Sequence, residues 1–210
     1  MRYQKRLDDN LMPPPKRDQG KYEELMIFIR PPKNMVPSSS KEFLLYPAIE
    51  PGKFDLEGSF IEDKKQTPSL HILARIKKPK DTSKKKVATP ADTATRGDFN
   101  TDVLAIVNAV YSSDVDLAKF KEVTEKRNKY KHHTLEVNDK NVQVYLYGGK
   151  DDSHQVALIF EYPKAEQQTL VGKIKLSLES FTVGRRAQAN YAGAVGEEAE
   201  SAGAGQGVAF

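Results

Sequence analysis

The strongest candidate for a reactive centre is the run Asp151-Asp152-Ser153-His154, which places an acid, a hydroxyl and an imidazole side by side. Nucleophilic catalysis needs such groups to converge in space around a fixed base and an oxyanion site, and sequence neighbours rarely do so. Asp and Ser are also common turn formers. The preceding Gly148-Gly149-Lys150 is followed by an aspartate, so it lacks the phosphate-loop pattern. We therefore predict a turn without catalytic residues, in a protein that is not an enzyme.

Histidines are the remaining candidates for metal ligands. The chain has four of them, His71, His132, His133 and His154, and no cysteine. Adjacent residues such as His132 and His133 point to opposite faces of a strand and make a poor metal pair. The lack of cysteine also excludes disulfides, thiolate catalysis and Cys-type zinc sites. We predict neither a metal site nor a cofactor.

Positive charge is gathered in two clusters, although the chain as a whole carries only +4, from 33 Lys and Arg against 29 Asp and Glu. Such clusters could hold an anionic ligand or nucleic acid by releasing counterions. Tyr130 is the one aromatic residue among them, which gives base stacking little support. A solvated basic loop is the other interpretation. The clusters comprise Lys77, Lys78, Lys80, Lys84, Lys85 and Lys86, and then Lys126, Arg127, Lys129 and Lys131.

The elements that must position these residues are clearest between Asn141 and Val183. Apolar residues alternate on both sides of the polar stretch 148–153, which predicts a pair of strands joined by a turn. From Gln167 to Phe181 they recur at helical spacing. Tyr145 and Tyr147 share one face of the first strand, where they either pack under a helix or line a recognition surface.

Further elements precede this hairpin. We predict strands over Tyr22–Arg30 and Ser69–Lys77, the second with His71 and Arg75 on its outward face. A helix begins near Thr101 and is capped by that residue or by Asp98. Leu117, Phe120 and Val123 fit another helical turn, and a third strand opens at Thr134.

Composition divides the chain into three parts. Residues 1–21 contain three consecutive prolines and are predicted to form an extended arm, although the four-residue spacing of Tyr3, Leu7 and Leu11 allows a short helix before the prolines. Residues 22–184 are predicted to form a single α+β domain with an exposed basic loop over 78–97. Residues 185–210 are rich in Gly, Ala and Glu and have little to bury, so this tail is predicted to be disordered or bound to a partner.

Two short motifs carry a family resemblance. With Arg30-Pro31-Pro32-Lys33 after the first strand and Ser177-Leu178-Glu179-Ser180-Phe181 in the last helix, the order of elements resembles the PsbP-like α/β/α sandwiches. Segments 27–33 and 173–181 are also similar to uncharacterised planctomycete lipoproteins. The resemblance implies a mostly antiparallel sheet flanked by helices, a non-enzymatic role in binding or assembly, and the cell envelope or periplasm. The chain shows no signal-peptide pattern and no cysteine to carry a lipid.

These observations predict a non-catalytic protein-binding or scaffold subunit whose ends engage a larger complex. No window approaches the ~20 apolar residues of a membrane-spanning helix. Binding of an anionic ligand or nucleic acid through the lysine clusters is the alternative. The residues predicted to bind the protein partner are Tyr3, Leu7, Leu11, Arg185, Arg186, Tyr191 and Phe210.

Overall fold

The computed structural model describes residues 2–38, 45–62, 65–76, 96–148 and 153–193, without the side chains of residues 17 and 46. Its helices are α1 (Arg2–Asn10), α2 (Phe99–Tyr111), α3 (Gln167–Ser180) and α4 (residues 185–193). Its strands are β1 (Ile27–Phe28), β2 (Met35–Ser38), β3 (Leu56–Glu62), β4 (Ser69–Ile76), β5 (Lys121–Glu125), β6 (Asn128–Val137), β7 (Lys140–Gly148), β8 (His154–Pro163) and β9 (Thr182–Val183).

A seven-stranded antiparallel sheet forms the centre of the molecule, in the order β2-β3-β4-β8-β7-β6-β5. Side chains of β8 alternate between two cores because successive residues of a strand point to opposite faces. Leu158 lies in one core with Ile174 of α3, and Ile159 lies in the other with Val107 of α2. Helices therefore cover both faces of the sheet, and the predicted α+β class with a mostly antiparallel, helix-flanked sheet is confirmed.

The predicted hairpin and closing helix are confirmed as β7, β8 and α3. Tyr145 on β7 pairs with Leu158 on β8, and the turn at residues 149–152 lies outside the described part of the chain. Tyr145 is 8% exposed and packs edge-on against Phe160 at 6.0 Å between ring centroids. Tyr147 packs edge-on against Phe181 at 5.1 Å. Of the two interpretations of these tyrosines, the packing one is correct.

The continuous strand predicted over Tyr22–Arg30 is wrong. The backbone amide of Ile27 donates to the carbonyl of Tyr22, and Met26 has a φ of 54°, so a turn occupies the first half of this stretch. Only Ile27–Phe28 is a strand, and it pairs with Thr182–Val183 rather than with the central sheet. Its apolar residues are buried on both sides because they lie between that sheet and the C-terminal segments.

The region before β7 also differs from the prediction. Leu117–Lys119 is a single 3-10 turn, and Val123 lies in β5 instead of a helix. The strand predicted from Thr134 begins six residues earlier, at Asn128, because it forms a hairpin with β5. The helix predicted near Thr101 is confirmed as α2, and Asp98 caps it by accepting a hydrogen bond from the Thr101 amide at 3.0 Å.

His71 and Arg75 do not face outward, because α2 covers their side of β4. Arg75 is 6% exposed and lies 5.6 Å from the centroids of both Phe54 and Phe99. Its guanidinium is 2.6 Å from the Asp102 carboxylate on α2. Burial opposes ionisation of Asp102, but its hydrogen bonds to Arg75 and Lys53 lower its pKa overall. This buried ion pair ties α2 to the sheet.

Both ends of the predicted domain require correction. Leu7 of α1 and Leu11 are buried with Leu176 of α3, so residues 2–11 are a packed helix and its end rather than an extended arm. Ala187 and Tyr191 of α4 are buried in the core beneath α3, so residues 185–193 are ordered against their own chain. These segments contain few apolar residues, but Leu7, Leu11, Ala187 and Tyr191 are buried against distant parts of the chain. Residues 77–95 and 194–210 lie outside the described residues.

Candidate functional site

A groove of about 770 Å³ lies between α1, α4 and the β5–β6 turn. We call it the basic groove. Six separate stretches of sequence line it, and none is long enough to reveal the site on its own. They are residues 3–8, 13–14, 28–30, 126–128, 179–182 and 186–193, not every residue of each range contributing.

Arg30 fixes the wall that α1 forms. Its guanidinium donates to Asp8 of α1 at 2.8 Å and to the carbonyl of Met12 at 3.0 Å. Its backbone is held equally firmly, because its amide donates to Ser180 Oγ at 3.0 Å and its carbonyl accepts from Ser177 Oγ at 2.7 Å. The two motifs that carried the family resemblance are therefore in direct contact, and their contact positions α1.

A chain of contacts links α1 to the opposite wall. The Tyr3 hydroxyl donates to Glu179 of α3 at 3.1 Å, and Lys126 Nζ donates to that hydroxyl at 3.2 Å. Lys126 Nζ also lies 4.6 Å from the centroid of the Tyr3 ring, within the range of a cation–π interaction. Tyr3 remains 41% exposed in the lining of the groove.

The β5–β6 turn presents two consecutive cations. Lys126, with a φ of 57°, and Arg127 are the two residues between Glu125 and Asn128, and both are exposed. Asn128 Nδ2 donates to the carbonyl of Phe181 at 2.7 Å, which ties this turn to the end of α3. A tight turn anchored in this way holds its charges at a defined place.

Helix α4 forms the third wall. Gly184, with a φ of 64°, turns the chain back after β9, and its amide donates to the carbonyl of Met26 at 2.8 Å. The Tyr191 hydroxyl donates to the carbonyl of Ile27 at 2.9 Å, so the helix is anchored to β1. Arg186 is exposed on the first turn of α4. Burial raises the pKa of Tyr147, and the positive charge of Arg186 offsets part of that rise.

Positive charge predominates in the basic groove. Four cations line it, Arg30, Lys126, Arg127 and Arg186, against the two carboxylates of Asp8 and Glu179, which leaves a net charge of +2. Asp8 is paired with Arg30, and Glu179 accepts from Tyr3. Arg127 and Arg186 form no ion pair with any residue that the structure describes.

The structure brings together members of both predicted residue sets. Tyr3, Leu7 and Arg186 from the partner set line the basic groove together with Lys126 and Arg127 from the anion set. Arg185 is exposed beside it. Leu7, Leu11 and Tyr191 are buried against their own chain, and their predicted contact with a partner stays a prediction. Phe210 and the six lysines between residues 77 and 86 lie outside the described residues.

Two lysines of the second cluster lie outside the basic groove. Lys129 and Lys131 line a smaller cavity of about 290 Å³ together with the start of α2. Sequence reasoning missed eight polar residues of the basic groove, which follow no periodic pattern: Gln4, Asp8, Arg30, Asn128, Glu179, Ser180, Thr182 and Asn190. The local signals near them were the two motifs of the family resemblance, which contain Arg30, Glu179 and Ser180.

His154 and His132 contact neighbouring side chains and backbone within the fold. His154 is 4% exposed, with Nε2 at 3.1 Å from the Leu25 carbonyl and Nδ1 at 3.0 Å from Ser153 Oγ. His132 stacks on Tyr145 at 4.3 Å between ring centroids. Among the described residues, no group of three or more His, Asp or Glu side chains is arranged to hold a metal ion. No described helix is long and apolar enough to cross a membrane.

Comparison with known proteins gives distant likenesses in structure alone. No family model and no curated protein matches the chain. Among solved structures it is similar to cyanobacterial PsbP (CyanoP) from Synechocystis sp. PCC 6803, at 13% identity over 83% of this chain and 93% of that one, with a TM-score of 0.47. It is also similar to the Saccharomyces cerevisiae Ran-binding protein Mog1p, at 10% identity over 75% and 90% of the two chains and a TM-score of 0.40.

A third likeness is to a protein from Bacteroides thetaiotaomicron, at 8% identity and a TM-score of 0.41. It covers 76% of this chain and 46% of that one. A PsbP structure is thus among those that the chain resembles, in agreement with the resemblance drawn from its motifs. The likeness to planctomycete lipoproteins stays a prediction.

Proposed function

We propose that this chain is a non-catalytic protein-binding subunit and that the basic groove is the surface on which a segment of its partner docks. One observation carries the proposal: six distant stretches of sequence converge on a single cavity whose walls are fixed by hydrogen bonds from buried or half-buried groups. Its volume of about 770 Å³ lies within the ~300–1,000 Å³ usual for ligand sites.

The lining suits a polypeptide. Exposed or half-buried apolar surface from Tyr3, Pro13 and Pro14 lies in the same lining as two exposed amide side chains. Gln4 donates one hydrogen bond to Asp8 and Asn190 one to Thr182, which leaves each amide a second N–H and its carbonyl oxygen. Amide groups both donate and accept hydrogen bonds, so they can pair with the backbone of an extended segment. Apolar side chains of the same segment would then cover the apolar surface.

The alternative function, binding of an anionic ligand or nucleic acid through the lysine clusters, has its own support. Lys126 and Arg127 stand at the tip of the β5–β6 hairpin, and the exposed Lys129 and Lys131 follow on β6. Binding through all four would weaken steeply between low and moderate salt. Replacing Lys129 and Lys131 together by Gln would weaken nucleic-acid binding while leaving the basic groove intact.

Site-specific photo-crosslinking tests the proposed function. A photoreactive amino acid is placed at Gln4 or Ala189 on the walls of the basic groove, and at Ala109, which is exposed on α2, as the control. In extract from the native source, we expect one discrete protein adduct common to both groove positions and absent from the control. The purified partner should then bind the unmodified chain in solution. Equal adducts from all three positions, or none from the groove, would contradict the proposal.

A further inference from the structure

We infer that the basic groove selects an acidic, extended peptide segment, in which carboxylates engage Arg127 and Arg186 and a neighbouring apolar side chain contacts Tyr3. This inference rests on the proposed function and specifies its partner. It concerns the chemistry of the docked segment, so it can fail while the groove remains a docking surface.

The charges argue for an acidic ligand. Arg127 and Arg186 are exposed and have no carboxylate partner within the described residues, whereas Arg30 is committed to Asp8. Guanidinium groups pair with carboxylates through two parallel hydrogen bonds, which gives such pairs geometric specificity. Because the two arginines lie on different walls, a single extended segment with spaced carboxylates can reach both.

The location of Arg186 supports the same conclusion. It lies in the first turn of α4, directly after Arg185, where the positive end of the helix disfavours cations. An acidic ligand would relieve this repulsion. The arginine pair therefore opposes helix stability in the free chain and favours it when a carboxylate is bound.

The rest of the lining argues for a peptide over a polyphosphate. Asp8, whose side chain is 53% exposed, and Glu179 would repel a backbone that carries a charge at every phosphate. A peptide can place its acids opposite the arginines and neutral residues opposite these carboxylates. Tyr3, Pro13 and Pro14 offer apolar contacts that a small inorganic anion cannot use.

Fluorescence anisotropy with two labelled synthetic peptides tests the inference. One carries glutamates around a central phenylalanine, and the other has each glutamate replaced by glutamine. Against the full chain, we expect the acidic peptide to bind about tenfold more tightly, as two exposed ion pairs allow. Arg127→Gln and Arg186→Gln should each weaken its binding about threefold. Lys21→Gln, at an exposed lysine outside the groove, should change it less than about twofold.

Several outcomes would overturn the inference. They are equal binding of the two peptides, no binding of either, or a loss with Lys21→Gln as large as with the arginine variants. A single-stranded oligonucleotide that binds more tightly than the acidic peptide, and loses affinity with Arg127→Gln and Arg186→Gln, would show a nucleic-acid site instead. A groove-specific crosslinked partner without acidic-peptide binding would remove this inference and leave the proposed function standing. Absence of both would remove both.

Discussion

His71 is predicted to make the fold sensitive to mild acid. Its ring is 4% exposed, with Nδ1 at 2.8 Å from Ser59 Oγ and Nε2 at 3.1 Å from Ser69 Oγ. A neutral imidazole, with one donor and one acceptor, matches two hydroxyl groups. Burial lowers the pKa of His71 from 6.5 to about 4, and the nearby Glu161 carboxylate offsets part of that effect. The folded protein therefore holds this side chain neutral.

The size of the effect follows from the two pKa values. Because the folded-state pKa lies below the unfolded one, the unfolded chain binds the proton first, and stability falls as the pH drops below 6.5. With pKa values of 6.5 and about 4, linkage gives a loss of about 2 kcal/mol by pH 5 and about 3 kcal/mol by pH 4. Below pH 4 the loss levels off, because the folded protein then binds the proton as well.

Urea unfolding of the wild type and of His71→Gln at pH 7, 5 and 4 isolates this contribution. Glutamine keeps a donor and an acceptor but does not titrate in this range, so the carboxylates common to both proteins cancel in the comparison. The substitution can also change stability at pH 7, but that change does not enter the comparison. Between pH 7 and 5 the wild type should lose about 2 kcal/mol more stability than the variant. Parallel declines, or an NMR titration of His71 with a midpoint near 6.5, would refute the reasoning.

Two further predictions concern packing and the wall of the basic groove. A Cβ at Gly58 would lie 1.8 Å from the Tyr22 hydroxyl oxygen, so Gly58→Ala should cost about 1–3 kcal/mol in chemical unfolding. Gly172→Ala, whose Cβ meets nothing within 4 Å, should instead stabilise α3 by about 0.5–1 kcal/mol. A Gly58→Ala variant more stable than Gly172→Ala would contradict this packing. Arg30→Gln removes charged hydrogen bonds to Asp8 and Met12 and should cost about 1.5–3 kcal/mol while speeding amide hydrogen exchange in α1. Lys21→Gln, at an exposed lysine, is its control, and unchanged exchange in α1 with Arg30→Gln would count against that role.

The part of the fold that sequence predicts well is the part with strong local periodicity. Residues 141–183 alternate as strands and then repeat as a helix, and these patterns survive in β7, β8 and α3. His71 and Arg75 were misplaced because their strand carries polar residues on a face that a distant helix covers. A two-residue period shows which side chains share a face but not what lies above that face.

The basic groove could not be predicted from local sequence patterns, because its residues meet only in the folded chain. Tyr3 and Glu179 are 176 residues apart, and Arg30 meets Ser177 and Ser180 across about 150. Leu7 and Leu11 have helical spacing that sequence reveals, but their burial against Leu176 depends on the tertiary fold. Lys126 and Arg127 were recognised as part of a charge cluster, and only the fold separates them from Lys129 and Lys131.

Hydrogen exchange of the chain in complex with the protein that crosslinks from Ala189 would test the central claim most directly. If a partner docks in the basic groove, slowed exchange should concentrate in α1, the β5–β6 turn and α4, while α2 on the opposite face of the sheet is unchanged. Protection centred on α2, or on the cavity beside Lys129 and Lys131, would place the binding surface elsewhere and contradict the account.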